Sequence, residues 1–211
     1  RRAIEHRRLV EPDVLAFDGI DHLHLTGITL GISPVVRAAA LTLFEAAIAA
    51  GVSVSFDPNL RLNLWPDQEE MRRVINSAAA RATLVMPGLG EARLLTGHHE
   101  PEHIAKTYLA AGAGEVVIKL GVKGAHAWTA ADKTAQSRPF AVTPIDTVGA
   151  GDGFAAGYLA AFLTGGSLQE RVDQGAAVGA LATTRRGDLA AMPQRAEVDA
   201  LLNTIGARNP L

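Results

Sequence analysis

Asp21–Phe56 reads DHLHLT, GITLGI, SPVVRAAALTLFEAAIAAG and VSVSF in succession, and its order of strand, helix and strand decides the fold class. Polar and apolar residues alternate over Asp21–Thr26, the period of a half-buried strand. Ser33 is a good helix N-cap, and Pro34 stands where the first helical position favours proline. The helix they open runs through the Ala-rich stretch to Gly51, a residue suited to ending it. Val52–Phe56 is β-branched and apolar, a second strand, and Asp57-Pro58-Asn59 turns it into a loop. Two strands joined through a helix call for parallel pairing.

The same alternation continues outward. Pro66-Asp67 starts the next helix, with Glu69 and Glu70 at the positive end of its dipole. Thr83–Met86 predicts a short strand ending at Pro87, and Gly88–Thr96 a loop and short helix stopped by Gly97. A helix begins near Pro101. Glu115–Lys119, Gly124–Thr129 and Ala135–Val142 read as three strands, with an antiparallel run after the parallel part. A long helix is expected after Gly153, another from Ser167 to about Arg185, and a last one over about Gln194–Ile205. There is no internal repeat and no low-complexity linker, so the expectation is one α/β domain with a mainly parallel central sheet.

Composition sets the bounds. The 211 residues suffice for one sizeable core; 48% are hydrophobic and 20% charged, as in ordinary globular chains. With a net charge of −2, nothing points to nucleic acid or an anionic membrane. The absence of cysteine excludes a disulfide scaffold, a thiolate zinc site and a thiol nucleophile. No apolar run is long enough to span a bilayer. The basic N-terminus lacks an apolar signal core. A cytoplasmic protein is the default expectation, and a chain starting at Arg1 without Met is expected to continue something longer.

Chemistry concentrates in Asp146-Thr147-Val148-Gly149-Ala150-Gly151-Asp152-Gly153-Phe154, followed by the apolar helix-former AAGYLAAFL. A Gly-Ala-Gly turn entering a buried helix exposes backbone N–H groups at the positive end of the dipole, where phosphate can approach closely. Asp152 could there accept a proton from an attacking hydroxyl. Phosphoryl transfer needs this combination of positioning, charge stabilisation and a base. A lone glycine turn is often only a tight turn, and an Asp near a helix start often only a cap. A dinucleotide fingerprint does not fit, because its third glycine would fall at Phe154. A Walker A loop does not fit either, because no Gly-Lys-Ser/Thr follows.

DTVGAGDGF with AAGYLAAFL resembles the C-terminal signature of the ribokinase-like (pfkB-type) carbohydrate kinases. The resemblance implies a ribokinase-like three-layer α/β/α fold, N-terminally incomplete, with residues 1–211 as the C-terminal part of a single kinase domain. It implies Asp152 as the base that deprotonates the sugar hydroxyl, with Gly149, Ala150 and Gly151 as the anion hole. ATP and Mg²⁺ are the implied cofactors. KLGVKGA (Lys119–Ala125) is similar to the family's strand and turn beside the nucleotide, where glycines let a flat group approach the backbone. Gly88, Lys119, Gly121, Gly124 and Ala176 are thus implied on the nucleotide side. A frequent Asn of the family is replaced by Ala176, which leaves apolar or backbone contacts to the base. Phe56–Trp65, FDPNLRLNLW, resembles a segment of 2-keto-3-deoxygluconate kinases and implies Arg61 near an acidic sugar and the transferred phosphate. A guanidinium suits that task, since its planar fork binds carboxylate or phosphate in two places. Trp65 reads as packing.

The family usually has an Asn three residues before a Glu on the loop that organises magnesium. Here Glu91 stands after Gly88, so Glu91 is implied to help the metal only indirectly, through water. Family members are longer: the first strands, a sugar-gripping glycine pair and a β lid would precede Arg1, which itself is similar to a phosphate-side arginine after the lid. Pairing through that lid makes a homo-oligomer the expectation for the full-length form. Phosphorylation of 2-keto-3-deoxygluconate by ATP is the expected activity. The alternatives are a ribokinase or fructokinase acting on a neutral sugar, or an inactive nucleotide-binding fragment. His22 and His24 share one face of their strand, a metal-compatible spacing without an evident third ligand, and a structural role is expected. His98-His99 reads as a solvated turn, and Asp188 as a loop carboxylate.

Overall fold

A computed structural model describes residues 17–187 and 189–206. Within them the chain is an α/β protein, and its strands are hydrogen-bonded in the order β1-β2-β3-β4-β5-β6. Two compact units divide at Val116/Val117, inside strand β4 (Glu115–Lys119).

The first unit opens with β1 (His22–Thr26), α1 (Gly27–Ile32), α2 (Pro34–Ala49) and β2 (Ser53–Asp57). β1 and β2 pair in parallel, with Leu23 opposite Val54 and Leu25 opposite Phe56. Leu25, Val54 and Phe56 are buried, and Phe44 of α2 meets the Phe56 ring edge-on at 6.5 Å. Ser33 caps α2 as its sequence predicts, its hydroxyl accepting the Val36 N–H at 3.2 Å. Gly51, at φ +75°, lies just past the helix end. Asp67 caps α3 (Gln68–Ala79), its carboxylate accepting the Glu69 and Glu70 N–H groups. β3 (Leu84–Val85) extends the parallel set to β4. α4 (Leu89–Thr96) ends at Gly97, φ +75°, and α5 (Pro101–Ala111) starts at its proline.

On the other face of β1 and β2 stands a polar ladder. His22 Nδ1 bonds Ser53 Oγ, His22 Nε2 bonds Ser55 Oγ, and His24 Nδ1 bonds Ser55 Oγ, each at 2.7 Å. Because the Ser53 hydroxyl donates to the Asp21 carbonyl, Ser53 Oγ must accept from His22 Nδ1–H. Nε2 of neutral His22 is then the acceptor of the Ser55 hydroxyl, and Ser55 accepts from His24 Nδ1–H. Both histidines thus take part in hydrogen bonding between β1 and β2, and among the described residues no group of three or more metal-type ligands occurs.

In the second unit, β5 (Ala125–Thr129) and β6 (Thr134–Gln136) form an antiparallel hairpin. The strand expected over Ala135–Val142 is shorter: it ends at Gln136, the Ser137 N–H makes a last bond to the Ala125 carbonyl at 2.9 Å, and the run that follows carries Pro139 and Pro144, which lack the N–H a ladder needs. α6 (Ala150–Leu163) begins four residues earlier than its sequence suggests, at Ala150 rather than after Gly153. α7 (Leu168–Ala182) is capped by a Ser167–Glu170 box, and α8 (Arg195–Gly206) follows.

Glycines set the α6–α7 spacing. A Cβ at Gly157 would stand 2.7 Å from Val178 Cγ2 and 2.8 Å from the Gln174 carbonyl oxygen; one at Gly179 would stand 3.0 Å from the Ala150 carbonyl oxygen. The helix backbones therefore approach more closely than side chains would allow. Gln174 Nε2 donates to the Gly157 carbonyl at 3.1 Å across the same seam.

Candidate active site

The predicted site residues fall into two groups, one in each unit.

In the second unit, the phosphate-binding candidate is the start of α6. Gly149 is its N-cap at φ +76°, a left-handed conformation that glycine adopts without cost. Ala150, Gly151 and Asp152 are then the first three helical residues, so the Gly-Ala-Gly run is itself the first turn rather than a loop before it. The Gly153 N–H already returns to the Gly149 carbonyl at 2.8 Å. Asp152 lies in this exposed first turn. Upstream, Val148 N–H donates to Asp146 Oδ1 at 3.1 Å, and the Ile145 and Asp146 N–H groups donate to the Thr183 carbonyl at 2.7 and 3.1 Å. The C-terminal end of α7 thereby anchors the strand of chain that delivers the turn.

Lys119, at the end of β4, faces the same turn: its Nζ lies 3.6 Å from where a Gly151 Cβ would be. Helix-start amides and an ammonium group form a donor set suited to phosphate oxygens. Beyond Lys119, Gly121 (φ +62°) opens a short 3₁₀ turn and Gly124 (φ +83°) closes it. A Cβ at Gly121 would meet nothing within 4 Å, whereas one at Gly124 would collide with Ser137 Oγ. Gly124 is thus fixed by the hairpin's own packing. Ala176 is buried in α7 at 7% exposure.

In the first unit, Arg61 is exposed on the loop after β2, and its guanidinium donates to the Leu60 carbonyl at 3.1 Å. The loop is held along its length. Asp57 is buried, and its Oδ1 accepts the Asn59 N–H at 3.2 Å, with Asn59 at φ +34°. Gly27 leaves room for the Pro58 carbonyl, which any Cβ there would strike. Trp65, buried as expected, sits where a Gly31 Cβ would come within 2.9 Å of its Nε1, and the Arg37 guanidinium stacks 4.5 Å from its ring centroid. Arg37 also donates to the Leu30 carbonyl at 2.7 Å and pairs with Glu70 at 2.6 Å. Gly88 is the N-cap of α4. Glu91 Oε2 accepts its N–H at 2.8 Å, and Glu91 Oε1 accepts the Leu60 N–H at 2.7 Å. Arg1 and Asp188 lie outside the described residues.

Sequence reasoning passed over Arg37, Gly27 and Gly31. The last two were legible in principle, since glycines four apart on a short helix mark one face that something must approach closely.

The profile of the pfkB family carbohydrate kinases matches residues 4–195. The chain belongs to the pfkB family of carbohydrate kinases. Among pfkB relatives, it is 40% identical to a 2-dehydro-3-deoxygluconokinase of Bacillus subtilis over 89% of this chain and 58% of that protein. It is 35% identical to a fructokinase of Escherichia coli over 84% of this chain and 59% of that one. Among solved structures, a putative ribokinase II of E. coli in complex with ATP and Mg²⁺ matches with a TM-score of 0.82 at 28% identity, over 92% of this chain and 62% of that one. The chain therefore spans less than two thirds of each of these pfkB proteins. Among the described residues, no helix is long and apolar enough to cross a membrane.

Proposed function

We propose that this chain carries the phosphoryl-transfer part of an ATP-dependent sugar kinase whose substrate is 2-keto-3-deoxygluconate. The observation that carries the reaction is the first turn of α6, where Gly149, Ala150 and Gly151 bring backbone to the surface beside Lys119 and Asp152 occupies the same turn. Asp152 takes the proton of the attacking sugar hydroxyl. The hydroxyl oxygen of the sugar bonds to the γ-phosphorus as the bond to the β-phosphate oxygen breaks, leaving phosphorylated sugar and ADP. The α6 amides and Lys119 hold the charge on the transferring group. Gly121, Gly124 and Ala176 lie on the side of the base and ribose. Mg²⁺, entering on the nucleotide, would neutralise phosphate charge; such ions are usually held by phosphates, waters and one or two carboxylates rather than a protein cage. The phosphate-directed donors at α6 suit that arrangement.

The choice of an acidic sugar rests on Arg61 and its segment, and is supported by the likeness to the Bacillus kinase. The likeness to fructokinases favours a neutral sugar as the second reading. A coupled assay of ADP release with the full-length protein over a panel of sugars separates the two. Higher kcat/KM for 2-keto-3-deoxygluconate than for fructose or ribose is expected; a preference for neutral sugars overturns the assignment.

A further inference from the structure

We propose that Glu91 is a positioning residue for Arg61, a clamp on the Arg61 loop. Both carboxylate oxygens are engaged by backbone amides: Oε2 by Gly88 N–H at 2.8 Å and Oε1 by Leu60 N–H at 2.7 Å. The first contact is local and caps α4. The second reaches 31 residues back in the chain and seizes the residue immediately before Arg61. A carboxylate accepting N–H groups at a helix start makes charge-assisted bonds, stronger than neutral ones and reinforced by the dipole. The same side chain thus joins the N-terminus of α4 to the loop whose guanidinium is the anchor for an acidic group.

Gly88 explains the posture. A Cβ at position 88 would stand 3.2 Å from Glu91 Oε2, tighter than ordinary contact. Glycine lets the carboxylate fold back onto the amide of residue 88, and from there Oε1 reaches Leu60. The loop is pinned again four residues beyond Arg61, where Trp65 lies between Gly31 and Arg37. Arg61 therefore projects from a segment fixed on both sides, and Glu91 is the fixture nearer to it.

The inference rests on the proposed role of Arg61, and its test has an arm that does not. Glu91→Asp keeps the charge and can still cap α4, but it is one methylene short of Leu60. Amide hydrogen exchange on this chain, resolved by residue, should show Leu60 exchanging about tenfold faster or more in Glu91→Asp, with Gly88 far less affected. Unchanged Leu60 protection overturns the clamp whatever the substrate proves to be. The second arm is a double-mutant cycle with Arg61→Ala in the full-length protein, read as KM for 2-keto-3-deoxygluconate and as kcat. Glu91→Asp should raise the sugar KM by about tenfold, change kcat far less, and add little once Arg61 is gone. Additive losses, or an unchanged sugar KM, overturn it. A wild-type enzyme indifferent to the acidic sugar removes the substrate reading alone, and Leu60 exchange then decides the clamp.

Discussion

Asp152 stands in the first turn of α6, beside the amides proposed to hold the transferring phosphoryl group. A carboxylate in that place can act as a general base. Replacing the carboxylate with an amide keeps shape and most hydrogen bonding while removing the basicity. Asp152→Asn in the full-length kinase is expected to lower kcat by about 10²–10⁴-fold or more with little change in ATP affinity. Single-turnover kinetics beside nucleotide-binding calorimetry measures both; turnover near the wild-type rate would show that the base lies elsewhere. Asp152 could be singled out because residue type, glycine neighbours and helix start coincide in one short stretch. Glu91 could be singled out too, but its bond to Leu60 across 31 positions leaves no trace in local pattern. Arg37 was illegible for the same reason: its partners Trp65 and Glu70 come from a distant loop and helix.

At the scale of elements, the α6–α7 seam supports the site. Gly179 lets α7 approach the Ala150 carbonyl, within the turn that bears the proposed anion hole. Gly157→Ala places a methyl 2.7 Å from Val178 Cγ2 and 2.8 Å from a carbonyl oxygen, so it is expected to destabilise by about 1–3 kcal/mol. Gly90→Ala in α4 meets nothing within 4 Å and should be neutral or stabilising by up to about 1 kcal/mol. Urea denaturation of both variants checks the pair; equal effects would mean that the seam is not tightly packed. Strands and helices were mostly readable because caps and breakers flank them: Ser33, Asp67, Gly97, Pro101 and Ser167 all stand where the elements begin or end. Two boundaries were not. The glycines before Asp152 read as loop yet begin the helix where Gly179 of α7 approaches the Ala150 carbonyl, and Ala135–Val142 alternates like a strand yet loses its partner after Ser137. Tertiary contact overrides propensity at both places.

For the molecule as a whole, acid stability should report on the His22–Ser55 ladder. Burial, with a smaller contribution from neighbouring His24, holds the His22 pKa below its ordinary value of 6.5. The folded chain then prefers neutral His22, and the unfolded chain binds more protons in the window between the two values. This contribution to stability is full above pH 6.5 and is lost as pH falls through the folded value. The wild type should therefore lose more stability than His22→Gln between pH 7 and pH 5, by urea midpoints; parallel curves would remove the ladder from the account. The glycine seam has a kinetic consequence as well. α6 and α7 are neighbours in sequence, separated only by Thr164–Ser167, so their pairing closes a short loop and can form early. Gly157→Ala should accordingly slow refolding more than it speeds unfolding, as the two arms of a chevron plot would reveal. A refolding chain would then have the turn proposed to bind phosphate shaped by α7 before its longer-range strand pairs are complete.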